Sequence, residues 1–142
     1  MKTYLNPVAN KYLKCIVAIF IFSFFTSKGY SQTHPWVTPK FAVNIPDPVP
    51  SGKIVESEAK VLYATNCSPC HGGKGKGDGP AAQALSPKPA DHTSPTVQNE
   101  TDGSLFWKLS TGRSPMPGFK ASLTDKQRWE LVDYIRALGK KH

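Results

Sequence analysis

The chain has 142 residues, 39% of them hydrophobic, with 18 Lys and Arg against 10 Asp and Glu, a formal charge of +8. That length suits one small domain plus a processed segment. The charge is uneven: Lys2, Lys11, Lys14 and Lys28 lie in residues 1–31 with no acidic residue, leaving 14 basic against 10 acidic side chains beyond them, a charge of +4. So mild an excess excludes a nucleic-acid-binding surface and suits an acidic protein partner instead.

The first element is an export signal. Lys2, Lys11 and Lys14 precede an apolar run over 15–25, and Gly29-Tyr30-Ser31 offers a small-x-small cleavage site before Gln32. This pattern predicts a secretory signal peptide over 1–31 and a mature protein in the periplasm or another extracytoplasmic compartment. The run is well short of the roughly 20 residues of a membrane-spanning helix; an uncleaved anchor, leaving the protein membrane-associated, is the alternative. Cys15 opens the run instead of following it, so a lipoprotein signal does not fit, and its removal leaves Cys67 and Cys70 as the only cysteines.

Residues 32–50 are rich in Pro and show neither helical nor strand periodicity. Repeated Pro removes backbone donors and favours extended chain. The segment reads as an extended arm, pinned to the domain or to a partner through Trp36, Phe41 and Ile45, or else as a linker. The domain proper is expected over 51–142. A helix is predicted from about Lys53 to Asn66, with Val55, Ala59, Leu62 and Tyr63 on one apolar stripe and Glu56 and Glu58 near its positive end.

That helix delivers the chain into Cys67-Ser68-Pro69-Cys70-His71, the C-x-x-C-H pattern of covalent c-type haem attachment. Two thiols three residues apart share one side of a helical turn. Each can add to one vinyl group on the same haem edge, and the adjoining His is carried under the iron. A zinc half-site would need a second Cys or His pair, yet His34, His92 and His142 are scattered singly. A redox dithiol would need a βαβ context that the flanking sequence lacks. Two bonds to a large apolar cofactor take the place of a disulfide in a small domain.

Gly72 to Pro80 carries five glycines, a loop in which backbone approaches closely; no preceding strand and no Gly-Lys-Ser/Thr make it a phosphate loop. Residues 81–100 read as loop broken by Pro87, Pro89 and Pro95, with one helical turn at 81–85. A short helix follows over Gly103–Thr111, closed by Gly112, with Leu105, Phe106 and Leu109 inward and Trp107 either beside them or over a haem edge. The last helix, about Asp125 to Leu138, opens on the Thr124/Gln127 capping box. It buries Trp129, Val132, Ile135 and Leu138 beside Leu131 and Tyr134, and stops at Gly139 ahead of Lys140 and Lys141. No convincing strand appears, so the fold class is all-α.

The loop before that helix holds Met116 between Pro115 and Pro117. It is the only methionine once Met1 is removed, held extended as a strap by its flanking prolines. It is the candidate second ligand of the iron; a gap-filling Met is the plainer reading. His34, His92 and His142 are rivals for bis-His ligation, with His92 the best placed of them.

The order of these parts resembles the class I (mitochondrial-type) monohaem cytochrome c family over about 51–139, and small exported bacterial members in particular: helix, C-x-x-C-H, glycine loop, middle helix, Pro-Met-Pro loop, terminal helix. The resemblance implies a cytochrome c fold of three main helices around one covalent haem c, the first and last helices crossing. It implies His71 and Met116 as iron ligands and the Pro80 carbonyl as acceptor of the His71 ring N–H. Arg113 and Trp107 are candidates for contact with the haem propionates. The expected function is one-electron transfer between respiratory partners by a monomer, with no catalytic residues. The alternative is a haem subunit of a larger membrane complex. An open-iron haem enzyme would require that Met116 not ligate. Lys74, Lys76, Lys88 and Lys120 either ring the exposed haem edge and steer an acidic partner or serve ordinary solubility.

Overall fold

The computed structural model describes residues 35–48 and 56–140. The expected signal peptide, His34, Val55, Lys141, His142 and the predicted helix start at Lys53 lie outside the described residues. Regular structure among the described residues is helical; extended backbone pairs only in an isolated bridge between Arg113 and Met116. The all-α architecture expected from the sequence is present.

Helix α1 is a single turn, Lys40–Val43, after Pro39. Helix α2, Glu56–Asn66, buries Ala59 and Tyr63 and half-buries Leu62, while Val61 faces solvent. It leads directly into α3, Ser68–His71: the Cys67 amide donates to the Tyr63 carbonyl at 2.9 Å, and the His71 amide to the Cys67 carbonyl at 2.8 Å. A 3₁₀ turn occupies Ala82–Ala84, inside the turn expected at 81–85.

Helix α4, Pro95–Gln98, stands where the pattern predicts only loop. Ser94 caps it, and Pro95 occupies the start of the helix, where a missing N–H costs nothing. Helix α5, Asp102–Thr111, opens on Thr101, whose hydroxyl accepts from the Ser104 amide at 3.2 Å, and ends at Gly112 with φ +66°. Helix α6, Asp125–Lys140, begins with the expected capping box: the Thr124 amide donates to Gln127 Oε1 at 3.0 Å and the Gln127 amide to Thr124 Oγ1 at 3.2 Å.

The end of α6 corrects the sequence reading, because the helix runs through Gly139 to Lys140. Gly139 faces Gln98, and a Cβ there would collide with the Gln98 side-chain amide. That amide uses the space to donate to the carbonyls of His92 at 2.6 Å and Ile135 at 3.1 Å. The glycine serves packing between α4 and α6, not termination.

The core lies between α2, α5 and α6. Tyr63, Leu131 and Val132 are fully enclosed, with Trp129, Tyr134, Ile135 and Leu138 around them. Phe106 stacks on Trp129 at 4.2 Å and 11°. The Arg128 guanidinium covers the other ring face at 4.7 Å, held by Ser110 and Asp125.

The described part of the arm, 35–48, is built into the domain. Ala42 is fully buried, and the Thr101 hydroxyl donates to the Val43 carbonyl at 2.8 Å. Gly103 makes the contact possible: a Cβ there would lie 2.8 Å from the Ile45 carbonyl oxygen and 2.9 Å from its nitrogen. One-turn helix and bare glycine thus bring α1 and α5 into backbone contact. This contact has no periodic signature.

Candidate haem site

Separate stretches of the chain converge on one largely apolar crevice of ≈ 240 Å³. Cys67, at the start of α3, and Cys70 and His71 within it line the crevice; the loop before α4 contributes Lys88, Ala90 and His92; the loop after α5 contributes Arg113, Met116 and Phe119; the arm contributes Trp36. The C-x-x-C-H spacing does what it predicts, presenting two thiols and an imidazole to the same space.

His71 is buried and its Nδ1–H donates to the Ala90 carbonyl at 2.9 Å. Burial lowers its pKa against the opposing pull of that bond, so the imidazole is held neutral, with Nε2 left for a metal. The acceptor corrects the expectation for Pro80. The Gly79 amide donates to the Cys70 carbonyl at 3.1 Å and the Ala81 amide to the Pro69 carbonyl at 2.9 Å. Residues 79–81 therefore run along the α3 backbone, Pro80 is exposed, and the chain reaches the His71 ring only ten residues later.

Cys67 and Cys70 are both free thiols. Burial first, and then the neighbouring Cys70, push the Cys67 thiol up to about 12. A redox dithiol depends on a depressed thiol pKa, so this environment opposes that reading.

Met116 is half-buried and packs against the core. Its backbone is extended where it pairs with Arg113. The Arg113 amide donates to the Met116 carbonyl at 2.9 Å and the Met116 amide to the Arg113 carbonyl at 2.8 Å, closing a tight turn over Ser114 and Pro115. The turn anchors the Met backbone while its side chain lines the crevice.

His92 lies against the His71 ring, beside that imidazole and not opposite it, where a rival to Met116 would stand. The two rings stack at 4.0 Å and 20°. Burial, then the neighbouring His71, drive the His92 pKa down to about 3, and Asp91 opposes them only weakly, so the ring stays neutral. The Tyr63 hydroxyl hydrogen-bonds His92 Nδ1 at 2.9 Å, and burial holds that phenol protonated far above the ordinary tyrosine range.

Trp107 does not line the crevice. It stands edge-on to Trp36 at 6.5 Å, and Trp36 forms the wall. The Arg113 guanidinium lies 5.1 Å and the Lys108 ammonium 5.4 Å from the Trp36 ring centre, within cation–π range. Of the two residues considered for propionate contact, Arg113 is at the crevice and Trp107 backs another ring.

Two free thiols, a neutral imidazole with one nitrogen committed to a carbonyl, and one thioether around an apolar crevice fit a covalent haem c with its iron. Residues 56–135 match the family described as cytochrome c oxidase, cbb3-type, subunit III. The chain belongs to this cytochrome c family. The family transfers electrons and is not enzymatic. Its haem c is covalently bound through cysteine, here Cys67 and Cys70.

A solved structure similar to this cytochrome is the reducing HAO-like protein complex of Kuenenia stuttgartiensis, with TM-score 0.58 and 28% identity. The match covers 77% of this chain and 52% of that one, so this cytochrome spans about half the length of the chain it matches. No curated protein matches the sequence. Among the described residues no helix is long and apolar enough to cross a membrane.

The lysines of this cytochrome stand in different surroundings. Lys88 lines the crevice, but Lys74 borders a separate shallow hollow with Asp78 and Pro80. Lys76 is engaged by Thr93 at 2.5 Å and lies 4.0 Å from Asp91. Two residues gain a place that sequence reasoning did not give them: Trp36 as crevice wall and Ala90 as partner of His71. The aromatic of a Pro-rich arm was a signal for the first. A backbone carbonyl leaves no signal for the second.

Proposed function

We propose that this cytochrome carries single electrons between redox proteins outside the cytoplasm as a monomer, with His71 and Met116 as the axial ligands of its iron. The carrying observation is that His71 and Met116, from unconnected elements, line the same crevice as both thiols. When bound, haem c supplies reversible one-electron oxidation and reduction of its iron. The chain's own residues do the rest. Cys67 and Cys70 hold the group, the Ala90 carbonyl orients the His71 imidazole, and the 113–116 turn presents the Met116 thioether. A Met116 thioether at the iron would raise its potential relative to harder ligands, and together with His71 it would leave oxygen no place to bind. Residues 1–31 would direct export and be removed, leaving 32–50 as an N-terminal arm on the 51–142 domain.

A redox titration of the matured protein, followed by carbon monoxide exposure of the reduced form, tests this. One electron per chain and resistance to carbon monoxide are expected. Immediate carbon monoxide binding would contradict the filled coordination and favour an open-iron protein.

A second reading, a haem subunit of a larger respiratory assembly, is favoured by the arm. Val37 and Phe41 stay 73% and 72% exposed although the segment is otherwise docked. The similar solved structure is itself a complex. Val37→Ser with Phe41→Ser leaves Trp36 and Ala42 in place. If the second reading holds, the native haem-bearing particle shrinks on size exclusion in the double variant; a wild-type protein already at monomer mass supports the diffusing carrier.

A further inference from the structure

We propose that His92, braced by Tyr63, is a positioning residue that fixes the plane of the His71 imidazole. This rests on the reading that His71 ligates the iron. The bond from His71 Nδ1 to the Ala90 carbonyl sets the direction of one ring atom. A single hydrogen bond leaves the ring free to tilt and swing about that contact. A flat ring stacked on its face at 4.0 Å and 20° removes this freedom.

His92 is itself held at every point. Its amide donates to the Gly75 carbonyl at 2.7 Å, and its carbonyl accepts from Gln98 Nε2 at 2.6 Å. Its ring is bonded to the Tyr63 hydroxyl at 2.9 Å. Tyr63, 1% exposed, packs on Tyr134 with ring centres 5.0 Å apart. Gly75 closes the arrangement with φ +75°, and a Cβ on it would sit 3.2 Å from His92 Cβ and 3.3 Å from the Tyr63 hydroxyl.

One short loop therefore controls the ligand twice. Ala90 gives its direction and His92, two residues on, gives its plane. Groups that orient a metal-bound His tune the metal through it, and the orientation and hydrogen bonding of an axial ligand are among the levers on a haem iron. A leucine would fill the same space but offers neither a flat face nor an atom for the Tyr63 hydroxyl. Tyr63 also ties this device to α2, the helix that leads into Cys67, so one helix both delivers the thiols and braces the ligand's plane.

The test uses the full haem-loaded chain, wild type beside His92→Leu, His92→Phe and Tyr63→Phe. The readouts are the paramagnetically shifted haem-methyl proton signals of the oxidised protein and its midpoint potential. His92→Leu is expected to redistribute the methyl shifts and move the midpoint; His92→Phe, which keeps a flat face but loses the Tyr63 bond, is expected to do so by a smaller amount. Tyr63→Phe is expected to redistribute the shifts in the direction of His92→Leu by a smaller amount. Wild-type methyl shifts and midpoint in His92→Leu would overturn the proposal. Should that variant fail to mature, an unchanged pattern in Tyr63→Phe would overturn it instead. His71→Ala separates the two readings: a wild-type spectrum surviving that change removes His71 ligation itself, whereas a silent His92→Leu with His71 ligation intact removes only the role of His92.

Discussion

Residues 67–71 and the arm at 35–48 wall the same crevice, and they reach it by different physics. The first does so locally. Helical geometry places side chains three and four residues apart on one side of a turn, so Cys67, Cys70 and His71 must face together wherever that turn forms. The arm does so through tertiary contact: Ala42 seats on α5 only because Gly103 carries no side chain, and Trp36 then reaches the crevice beside Arg113. Chemistry written within five residues is readable from the chain alone. A wall assembled from residues 36, 103 and 113 is not.

The largest test of this contrast removes the local half. Cys67→Ser with Cys70→Ser is expected to abolish covalent haem attachment, so that acidified solvent extracts all haem and no attached haem remains on the denatured chain. Covalent haem surviving in the double variant would contradict the assignment of both thiols.

The next test addresses the arm alone. Gly103→Ala substitutes no crevice residue but drives a Cβ into the backbone of Ala42 and Ile45. Overpacking of this kind costs about 1–3 kcal/mol, measurable by chemical denaturation. Trp36→Ala should lower stability as well, and the two changes combined should be less than additive, because both undo one docking. Strict additivity would separate Trp36 from the arm's packing.

The smallest effect lies at the arm's far end. Burial first, then the charges of Asp47 and Asp102, raise the Asp133 carboxyl to about 6, and Asp47 also hydrogen-bonds it. The folded protein thus keeps a proton that the unfolded chain releases near pH ~4. Stability is fully present below that point, falls as pH rises towards about 6, and levels beyond it. Asp133 is half-buried, and partial solvent screening keeps the change to about 1 kcal/mol. Asp133→Asn is expected to flatten this part of the stability curve; a slope that persists would place the titrating group elsewhere.

The helices, the capping box at Thr124 and the stripe through Trp129, Val132 and Ile135 were legible because burial repeats with the helical period. The misreadings share a cause. Gly139 and Pro95 look like breakers in sequence, yet one makes room for Gln98 and the other starts a helix. Pro80 lost its place to Ala90, and the role of His92 depends on Tyr63, 29 residues away. A residue's type states what it can do, and its partner across the fold decides which of those things it does.

The most direct measurement is the long-wavelength absorption spectrum of the oxidised, matured protein, wild type beside Met116→Ala. Ligation by His71 and Met116 predicts a low-spin spectrum with a sulfur-to-iron charge-transfer band in the wild type, lost in the variant together with resistance to carbon monoxide. A wild-type spectrum without that band, unchanged by Met116→Ala, would contradict Met116 as the second ligand and reopen the far side of the crevice.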